Sequence, residues 1–393
     1  MDSNTTIVQD PLPEAIGSDL WIGADAYNPD DEYNTATKNF FNSVKWDVLA
    51  SVASRLRNGL QCSYIDKYSI GTFNLVRRLD FDDGISWVAR VRLPPEASPA
   101  PPGQYDSQRA FEVEAASMKF FKSKTTIPVP ELFAYDADPS NEVGVQWMFM
   151  EYIHGTTAEE LKKIRNSEPM MFGTIEQDRK LREQMAKIQA EMFSFTFEEI
   201  GSLYYSEDTS SFSIGPHLRI ERGSQELLLS LSISLPHVFK RLMHIYGEEP
   251  EGPFRLINAD FGAHNVLVDN DFNIVSIIDL DSVGTGPLEA AAQYPSLSSM
   301  DPEPPDYVDL HPNAQARVEL MKPRMDEYKE FLTKYESQLG DGSAPVSHRV
   351  GSTSAIIYAG FKRCSIPSST QYRKWYESAT KLLTENTGYH YNT

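Results

Sequence analysis

The residue types best suited to chemistry lie close together in the segment 258–281. Asn265 stands just before one apolar run and Asp279 just after the next, with a polar turn between the two runs. This pattern predicts a β-hairpin, and if it is symmetrical about residue 272, Asn265 and Asp279 face each other across the strands. Opposed side chains on paired strands start about 5 Å apart. An amide oxygen and a carboxylate at that spacing suit Mg²⁺.

Asp260 lies five positions before Asn265, on the loop that enters the predicted hairpin. A carboxylate there can orient an acceptor hydroxyl and take its proton during phosphoryl transfer. Each of these residues alone is typical of a turn or a strand end, but their combination on one hairpin favours the catalytic interpretation. Asp281 either assists the metal or caps the following turn, and the residues leave both alternatives open. We interpret His264 as a hydrogen-bonded support.

A phosphate-binding cation is predicted on the strand 87–92, which carries Arg90 and Arg92 on one face. The helix that follows offers Glu114 as the partner that would hold such a cation, with Glu112 as the competitor. The sequence therefore predicts an arginine–carboxylate pair at the phosphate end of a nucleotide site.

Two further features complete the predicted nucleotide site. The turn that contains Gly71 and Thr72 could let backbone N–H groups approach a phosphate, although a lone Gly in a hairpin is usually only a turn. Glu151 and Ile153 lie where an apolar strand ends, and a backbone hinge there could hydrogen-bond adenine. An ordinary buried strand explains the composition of that segment equally well.

The arrangement of predicted elements divides the chain into a β-rich front and an α-rich back. Residues 1–40 are mostly polar and are interpreted as an arm with little regular structure. Residues 41–152 contain the patterns of a five-stranded antiparallel sheet with one helix, and residues 153–393 are predominantly helical. We expect an α+β fold in which the catalytic hairpin and the acceptor site belong to the back part.

The amino-acid composition limits the kinds of molecule that the protein is expected to bind. The chain has 393 residues with 36 basic and 56 acidic side chains, a net charge of −20, which argues against nucleic-acid binding. Two cysteines far apart in sequence and an N-terminus without a signal pattern are typical of a cytoplasmic protein. No apolar run is long enough to span a membrane, and no protein partner is predicted.

The chain resembles the aminoglycoside phosphotransferase and choline kinase-like family, and most closely its fungal branch. The cues, in chain order, are the stretches 71–74, 87–90, 114–116, 127–130, 150–152, 201–204 and 258–281. The resemblance implies a protein-kinase-like two-lobe fold, with a small antiparallel β-sheet N-lobe and a mostly helical C-lobe. It also implies ATP and Mg²⁺ as cofactors, Asp260 as catalytic base, Asn265 and Asp279 as metal ligands, and Arg90 with Glu114 at the phosphates.

The resemblance indicates a kinase that phosphorylates a hydroxyl of a small molecule, and the candidate acceptors are an amino alcohol or a natural product. A protein kinase is disfavoured because the chain runs from Asp279 into a short turn and a helix, with little room for a peptide-binding segment. Asn258 stands where the family usually has His, so the alternative is a weakened or inactive nucleotide-binding or interaction protein. Four acidic residues could meet an amine or form a solvated loop: Asp301, Glu303, Asp306 and Asp309.

Overall fold

The structure is a computed structural model, and it describes most of the chain. The described residues are 16–23, 32–94, 107–217, 245, 252–302, 315–340, 345–364 and 381. Glu303, Asp306 and Asp309 of the predicted acidic loop lie outside them, as do residues 1–15 and 24–31 of the predicted arm.

The front part of the chain forms one antiparallel sheet between helices. The helices are α1 (Glu32–Ser43), α2 (Trp46–Leu56) and α3 (Ser107–Lys124). The strands are β1 (Cys62–Ile70), β2 (Asn74–Phe81), β3 (Ser86–Arg92), β4 (Leu132–Asp136) and β5 (Trp147–Glu151). They are hydrogen-bonded in the order β1-β2-β3-β5-β4. The predicted five-stranded sheet with one following helix is therefore confirmed.

Alternation along β5 separates two cores, because successive side chains of a strand point to opposite faces. Trp147 and Phe149 belong to a cluster shared with α1 and α2, which includes Leu49. Met148 and Met150 belong to the main cluster, shared with α3 and the back part of the molecule. One face of the sheet thus covers a small core of its own, and the other face looks towards the segment 258–281.

The back part has more strands than the sequence indicated. Its helices are α4 (Ala158–Ile164), α5 (Ile175–Phe193), α6 (Leu288–Ala291), α7 (Gln315–Leu339) and α8 (Thr353–Cys364). Its strands are β6 (Thr156–Thr157), β7 (Thr196–Phe197), β8 (Gly201–Ser206), β9 (Ser211–Gly215), β10 (Phe254–Asn258), β11 (Val266–Val268), β12 (Ile274–Ile277) and β13 (Val283–Gly286). They form sheets ordered β7-β10-β13-β8-β9 and β12-β11-β6.

The N-terminal segment also departs from the expectation of an arm with little regular structure. A 3₁₀ helix covers Gly17–Leu20, and α1 begins at Glu32. Ile16 and Ser18 are buried, so part of this segment packs against the rest of the molecule. None of the helices in the described part of the chain combines the length and the apolar character that a membrane span needs.

Candidate active site at the catalytic hairpin

The hairpin of β11 and β12 is closed by an acidic turn. The Asp269 carboxylate accepts hydrogen bonds from the backbone N–H groups of Asp271 and Asn273, both at 2.9 Å. Phe272 has a φ of 57° and is almost fully buried, which anchors the turn to the core. These local bonds explain why the polar run between the two apolar runs folds as a tight connection.

The observed register differs by one position from the symmetrical hairpin. Val266 pairs with Ile277, and the Ile278 N–H donates to the Asn265 carbonyl at 2.9 Å. Asn265 therefore lies opposite Ile278, and the prediction that it directly faces Asp279 is wrong. The turn is centred on residue 271, since Val268 pairs with Ile274, and an irregularity between residues 267 and 268 then moves the pairing. The sequence pattern reveals neither the centre of the turn nor such a bulge.

Asp279 has a φ of 61°, a left-handed backbone that few residues other than Gly adopt. This conformation ends the strand alternation directly after β12. The carboxylate accepts a hydrogen bond from Arg90 Nη2 at 3.1 Å, across the gap between the two parts of the molecule. Non-glycine residues in such backbone regions are concentrated at functional sites.

Asp260 is held from three sides. Its N–H donates to Asn258 Oδ1 at 3.0 Å, and Asn265 Nδ2 donates to its carbonyl and to its Oδ2, both at 3.1 Å. His264 Nε2 lies 3.3 Å from Asp260 Oδ1, with the Asp260 side chain 40% exposed. The carboxylate is thus oriented while one side stays open. Asn258 supplies a loop-bracing bond that the sequence alone did not reveal.

His264 has the supporting position that the sequence suggested. Its hydrogen bond to Asp260 raises the pKa of the imidazole, burial opposes the rise, and the nearby charges of Asp260, Asp279 and Glu159 add to it. A protonated imidazole would donate to Asp260 and stabilise its ionised form. The structure thus places His264 beside the predicted base.

Asn265 fits the role of a metal ligand by the orientation of its amide. The side chain is buried, and both of its hydrogen bonds use Nδ2 as donor to Asp260. The amide oxygen accepts no hydrogen bond from any described residue. In the same described part, no three His, Cys, Asp or Glu side chains form a metal site of their own. The donor set therefore suits Mg²⁺, which usually takes one or two protein oxygens and completes its shell with phosphate and water.

Arg90 links the front sheet to the hairpin. Its guanidinium donates from Nη1 to the Glu114 carboxylate and from Nη2 to Asp279. Burial would lower the pKa of Arg90, but Glu114, Asp279 and Asp281 together raise it above its usual range. The pairing with Glu114 and not Glu112 agrees with the sequence analysis. Three carboxylates around this guanidinium leave the site rich in negative charge.

Asp281 is buried beside this cluster and not at an exposed turn. Burial is the largest of the causes that raise the pKa of Asp281 to about 7; the charges of Asp279 and Glu114 add to the rise, and those of Arg90 and Arg92 oppose it. Ser282 Oγ donates to its Oδ1 at 3.0 Å. Of the two alternatives from the sequence, its place among the cleft carboxylates favours a role near the metal.

The predicted phosphate turn lies at the open end of the sheet. Gly71 and Thr72 are exposed between β1 and β2. The Gly71 N–H donates to the Asn74 carbonyl at 2.8 Å, and Arg92 Nη1 donates to Asn74 Oδ1 at 3.1 Å. A Cβ on Gly71 would meet only one atom, at 3.7 Å. The turn is therefore next to the arginine-bearing strand, but no close contact requires its glycine.

The hinge residues lie at the end of β5. The Glu151 N–H donates to the Glu131 carbonyl at 2.9 Å, and its carboxylate accepts from the Glu131 N–H at 3.1 Å. Both bonds tie Glu151 to β4. Ile153 follows the strand, and its N–H has no hydrogen-bond partner among the described residues. A backbone donor of this kind is what recognition of an adenine edge needs.

A cavity of about 710 Å³ opens beside Asp260. Its walls come from α4, from α5 and the region before it, from the segments 257–264 and 290–302, and from α7 and α8. Most lining side chains are apolar, among them Met170, Phe193 and Leu297. These residues are far apart in sequence, and no motif identified them. This volume is within the range of small-molecule sites, which are mostly apolar with a few placed polar groups.

The charged groups of the cavity are few. Asp301 Oδ2 lies 3.6 Å from Arg317 Nη1, and both residues line the cavity with Glu159 and Asp260. Glu159 lies in the first turn of α4, and its N–H donates to the Ala263 carbonyl at 3.1 Å. Of the predicted acidic loop, Asp301 is thus found at the cavity with a cationic partner.

The family model described as the phosphotransferase enzyme family matches residues 67–290, more than half of the chain. The protein belongs to this family. The match begins in β1 and ends in α6, so it includes the front sheet, the hinge and the catalytic hairpin. Together with the observed architecture, this membership confirms the predicted α+β, protein-kinase-like two-lobe fold and a kinase-type phosphotransferase. Hereafter the parts are called the N-lobe (residues 32–152) and the C-lobe (residues 153–364).

Individual relatives match over shorter stretches. A subtelomeric hrmA-associated cluster protein of Aspergillus fumigatus is 29% identical over 164 residues, which cover 39% of this chain and 29% of the relative. The protein named altered inheritance of mitochondria protein 9, mitochondrial, of Komagataella phaffii is 30% identical over 143 residues, 35% of this chain and 21% of the relative. The chain thus matches less than a third of the length of these relatives.

Similar solved structures have low sequence identity. A putative fructosamine-3-kinase of Thermobifida fusca is 15% identical with a TM-score of 0.46, over 85% of this chain and 99% of the other. A thermostable mutant of an aminoglycoside phosphotransferase, in ternary complex with AMP-PNP and hygromycin B, is 13% identical with a TM-score of 0.46. That similarity covers 87% of this chain and 99% of the other.

Proposed function

We propose that the protein is an ATP- and Mg²⁺-dependent kinase that transfers the γ-phosphoryl group to a hydroxyl of a small molecule. The observation that carries the proposal is the position of Asp260. Its carboxylate is oriented by Asn265 and His264 and at the same time lines a cavity of about 710 Å³. A hydroxyl bound in that cavity would meet a positioned general base, which is the geometry that phosphoryl transfer needs.

In the proposed reaction the acceptor oxygen forms a bond to the γ-phosphorus while the bond from phosphorus to the β–γ bridging oxygen breaks. The hydroxyl proton passes to the Asp260 carboxylate, and ADP is the leaving group. Mg²⁺, when bound, neutralises charge on the phosphates. Asn265 and Asp279 are the residues that would hold it. Arg90 would contact a phosphate, and its pairing with Glu114 keeps the guanidinium in place.

We propose that the backbone of Glu151 and Ile153 binds adenine and that the turn of Gly71 and Thr72 covers the phosphates. The unpartnered N–H of Ile153 supports the first assignment, and the neighbouring Arg92 supports the second. The hinge and the turn of Gly71 and Thr72 lie apart along the sheet. This separation would place the nucleotide across β2 and β3, beneath the face that carries Arg90.

The acceptor is proposed to be an amino alcohol or an aminated natural product with a sizeable apolar part. The apolar walls would cover its body, and Glu159 would meet an amine close to the reacting hydroxyl. Asp301 is a weaker candidate for that role because Arg317 already lies 3.6 Å from it. An amine that pairs with Glu159 would recover part of its lost hydration through a charge-assisted hydrogen bond.

The alternative is a weakened or inactive nucleotide-binding protein, which the residue at 258 suggested. Asn258 Oδ1 accepts the Asp260 N–H at 3.0 Å. This bond braces the catalytic loop without a histidine, and it therefore supports the active enzyme.

The test compares two aspartates of the same hairpin. Asp260→Asn should lower the rate of ADP release with any accepted alcohol by at least about 100-fold, because the amide cannot take the proton. The affinity for ATP with Mg²⁺ should stay unchanged, since Asp260 faces the acceptor. Asp271→Asn, on the exposed turn of the hairpin, is the matched control and should retain full turnover.

Binding of ATP is measured by calorimetry, and turnover by ADP release over a panel of cationic and neutral alcohols. Failure of the wild-type protein to bind ATP with Mg²⁺ would rule out the kinase assignment. Binding without turnover across the whole panel would favour the inactive alternative. Preference for neutral over cationic alcohols would contradict the assignment of Glu159.

A further inference from the structure

The N-terminal strap, defined as residues 16–23, is attached to the N-lobe by backbone contacts. Lys67 Nζ of β1 donates to the Asp19 carbonyl at 2.6 Å, and the Gly23 N–H donates to the Tyr68 carbonyl at 3.4 Å. Trp21 packs with its ring edge-on to Tyr152, at a centroid distance of 6.4 Å. The strap therefore extends from β1 to the hinge, although β2 and β3 separate these two elements in the sheet.

The register of the sheet shows on which face the strap lies. Arg78 of β2 pairs with Val88 of β3, and Val88 pairs with Met150 of β5. Paired residues share a face, and so do residues two apart on one strand. Arg78 therefore shares the face of Arg90, and Arg90 contacts Asp279. That face looks into the cleft between the lobes.

Arg78 brings the strap to this cleft face. Its Nη1 donates to Ser18 Oγ at 3.0 Å, and its guanidinium lies 4.9 Å from the centre of the Tyr152 ring. Its Nε is also paired with Asp80 at 2.6 Å. Ser18 is almost fully buried. The strap is consequently held at the level of the hinge, where the proposed adenine site lies.

The strap also contacts the hinge and the C-lobe. The Ser18 N–H donates to Tyr152 Oη at 3.0 Å, and Ser18 Oγ lies 3.0 Å from the same oxygen. The Gly17 N–H donates to Thr156 Oγ1 at 3.4 Å. Thr156 is in β6, which pairs with Val268 of the catalytic hairpin. One short segment thus bridges both lobes at the outer edge of the cleft.

We propose that the strap forms the outer wall of the nucleotide site and increases its affinity for ATP. This inference rests on the proposed function. A wall beside the hinge removes the bound base from water, and contacts to both lobes favour the closed cleft. Because residues 16–23 are outside the matched family region of 67–290, this wall is a feature of the present chain beyond the family model.

Gly17 offers a way to displace the strap without changing any residue of the proposed catalytic centre. Its φ is 69°, and a Cβ there would lie 2.6 Å from Tyr152 Oη and 3.2 Å from His154 Nδ1. Both a strained backbone and a close contact therefore oppose a side chain. Gly340, at the end of α7, has a φ of 58° and nothing within 4 Å of such a Cβ. It provides the same backbone penalty without the contact.

The experiment measures the dissociation constant for ATP with Mg²⁺ in the full chain. If Gly17→Ala leaves the strap docked in a tenth of the molecules, the dissociation constant should rise about 10-fold. Gly340→Ala should leave it unchanged. Tyr152→Phe removes the hydroxyl that binds Ser18 and should weaken ATP binding in the same direction. At saturating ATP, turnover of Gly17→Ala and Gly340→Ala should stay within about twofold of wild type, since the wall affects occupancy of the site.

Unchanged ATP affinity in both Gly17→Ala and Tyr152→Phe would overturn the inference. Tighter binding would also overturn it, because the strap would then compete with the nucleotide. These outcomes are distinct from a failure of the proposed function, in which wild-type protein itself shows no binding of ATP.

Discussion

Two buried arginines of this molecule have opposite surroundings. Arg182 of α5 donates to Asp178 at 3.0 Å and to Glu327 of α7 at 2.7 Å. Asp178 also accepts the Phe172 N–H at 3.1 Å, so these polar groups are paired. Arg90 has three carboxylates nearby, and Glu114 Oε2 has no hydrogen-bond partner within the described residues.

The difference separates a structural cluster from a functional one. Around Arg182 each carboxylate has a cationic or backbone partner, which is how buried charges are stabilised. Around Arg90 three carboxylates share one guanidinium, and Arg92 is the further cation that acts on Glu114 and Asp281. The region opens to the cleft through Asp279, whose side chain is 38% exposed. Carboxylates this close together raise one another's pKa, and a bound cation would relieve that repulsion.

The largest expected effect comes from Asp279→Ala. Turnover should fall at least about 100-fold, since the proposed metal ligand is lost. The free energy of unfolding should change by less than about 1 kcal/mol, because Asp279 is partly exposed and its removal relieves repulsion with Asp281 and Glu114. Steady-state kinetics and urea denaturation measure the two quantities. If Asp279→Ala instead lowers the free energy of unfolding by about 3 kcal/mol, as expected for a buried structural ion pair, the Arg90 cluster is structural.

The opposite result is expected for Asp178→Ala. Arg182 would lose a buried partner and the Phe172 N–H its acceptor, so the free energy of unfolding should fall by about 3 kcal/mol. ATP affinity of the folded protein should not change. Asp326→Ala, which removes an exposed partner of Lys322 on α7, is the control and should cost less than about 0.5 kcal/mol in urea denaturation. Equal losses of unfolding free energy in Asp178→Ala and Asp326→Ala would show that burial of an ion pair does not determine its contribution to stability.

The smallest effect concerns acid stability of the α5–α7 contact. Burial would raise the pKa of Glu327, but hydrogen bonds from Arg182 and Arg179 hold it below its usual value. A lowered pKa in the folded state gives stability that is present above the unfolded pKa of about 4.3 and is lost as the pH falls further. Glu327→Gln should therefore reduce the dependence of the urea midpoint on pH between about 5 and 3. If the urea midpoint of Glu327→Gln depends on pH as that of the wild type does, the acid sensitivity comes from other groups.

The strands and the following helix of the N-lobe could be predicted from the sequence because the patterns that indicate them are local. Strand alternation and the spacing of Arg90 and Arg92 each depend on a few neighbouring residues. The partner of Arg90 was also within reach, since the next helix offered Glu114 and one competitor. The same holds for the order of Asp260, Asn265 and Asp279 along one hairpin.

The errors arose where distant segments decide the structure. The strands β8 and β10 pair with β13, and a short strand that pairs with distant partners has little pattern of its own. The burial of Asp281 depends on the packing of the N-lobe above it. The shifted hairpin register is a local exception, because residue types reveal neither the centre of the turn nor the bulge. The docked strap is attached through Arg78, Tyr152 and Thr156, which no pattern near residue 16 could indicate.

The sequence by itself determined which groups are available: a base, an amide, a carboxylate and an arginine with its partner, in an order typical of one family. That was possible because residue types and short spacings restrict the chemistry directly. Only the tertiary structure decided how the groups meet. Arg90 reaches Asp279 across the cleft, and elements from α4 to α8 close one cavity, since each of these contacts joins residues whose separation in the chain carries no information about their distance in space.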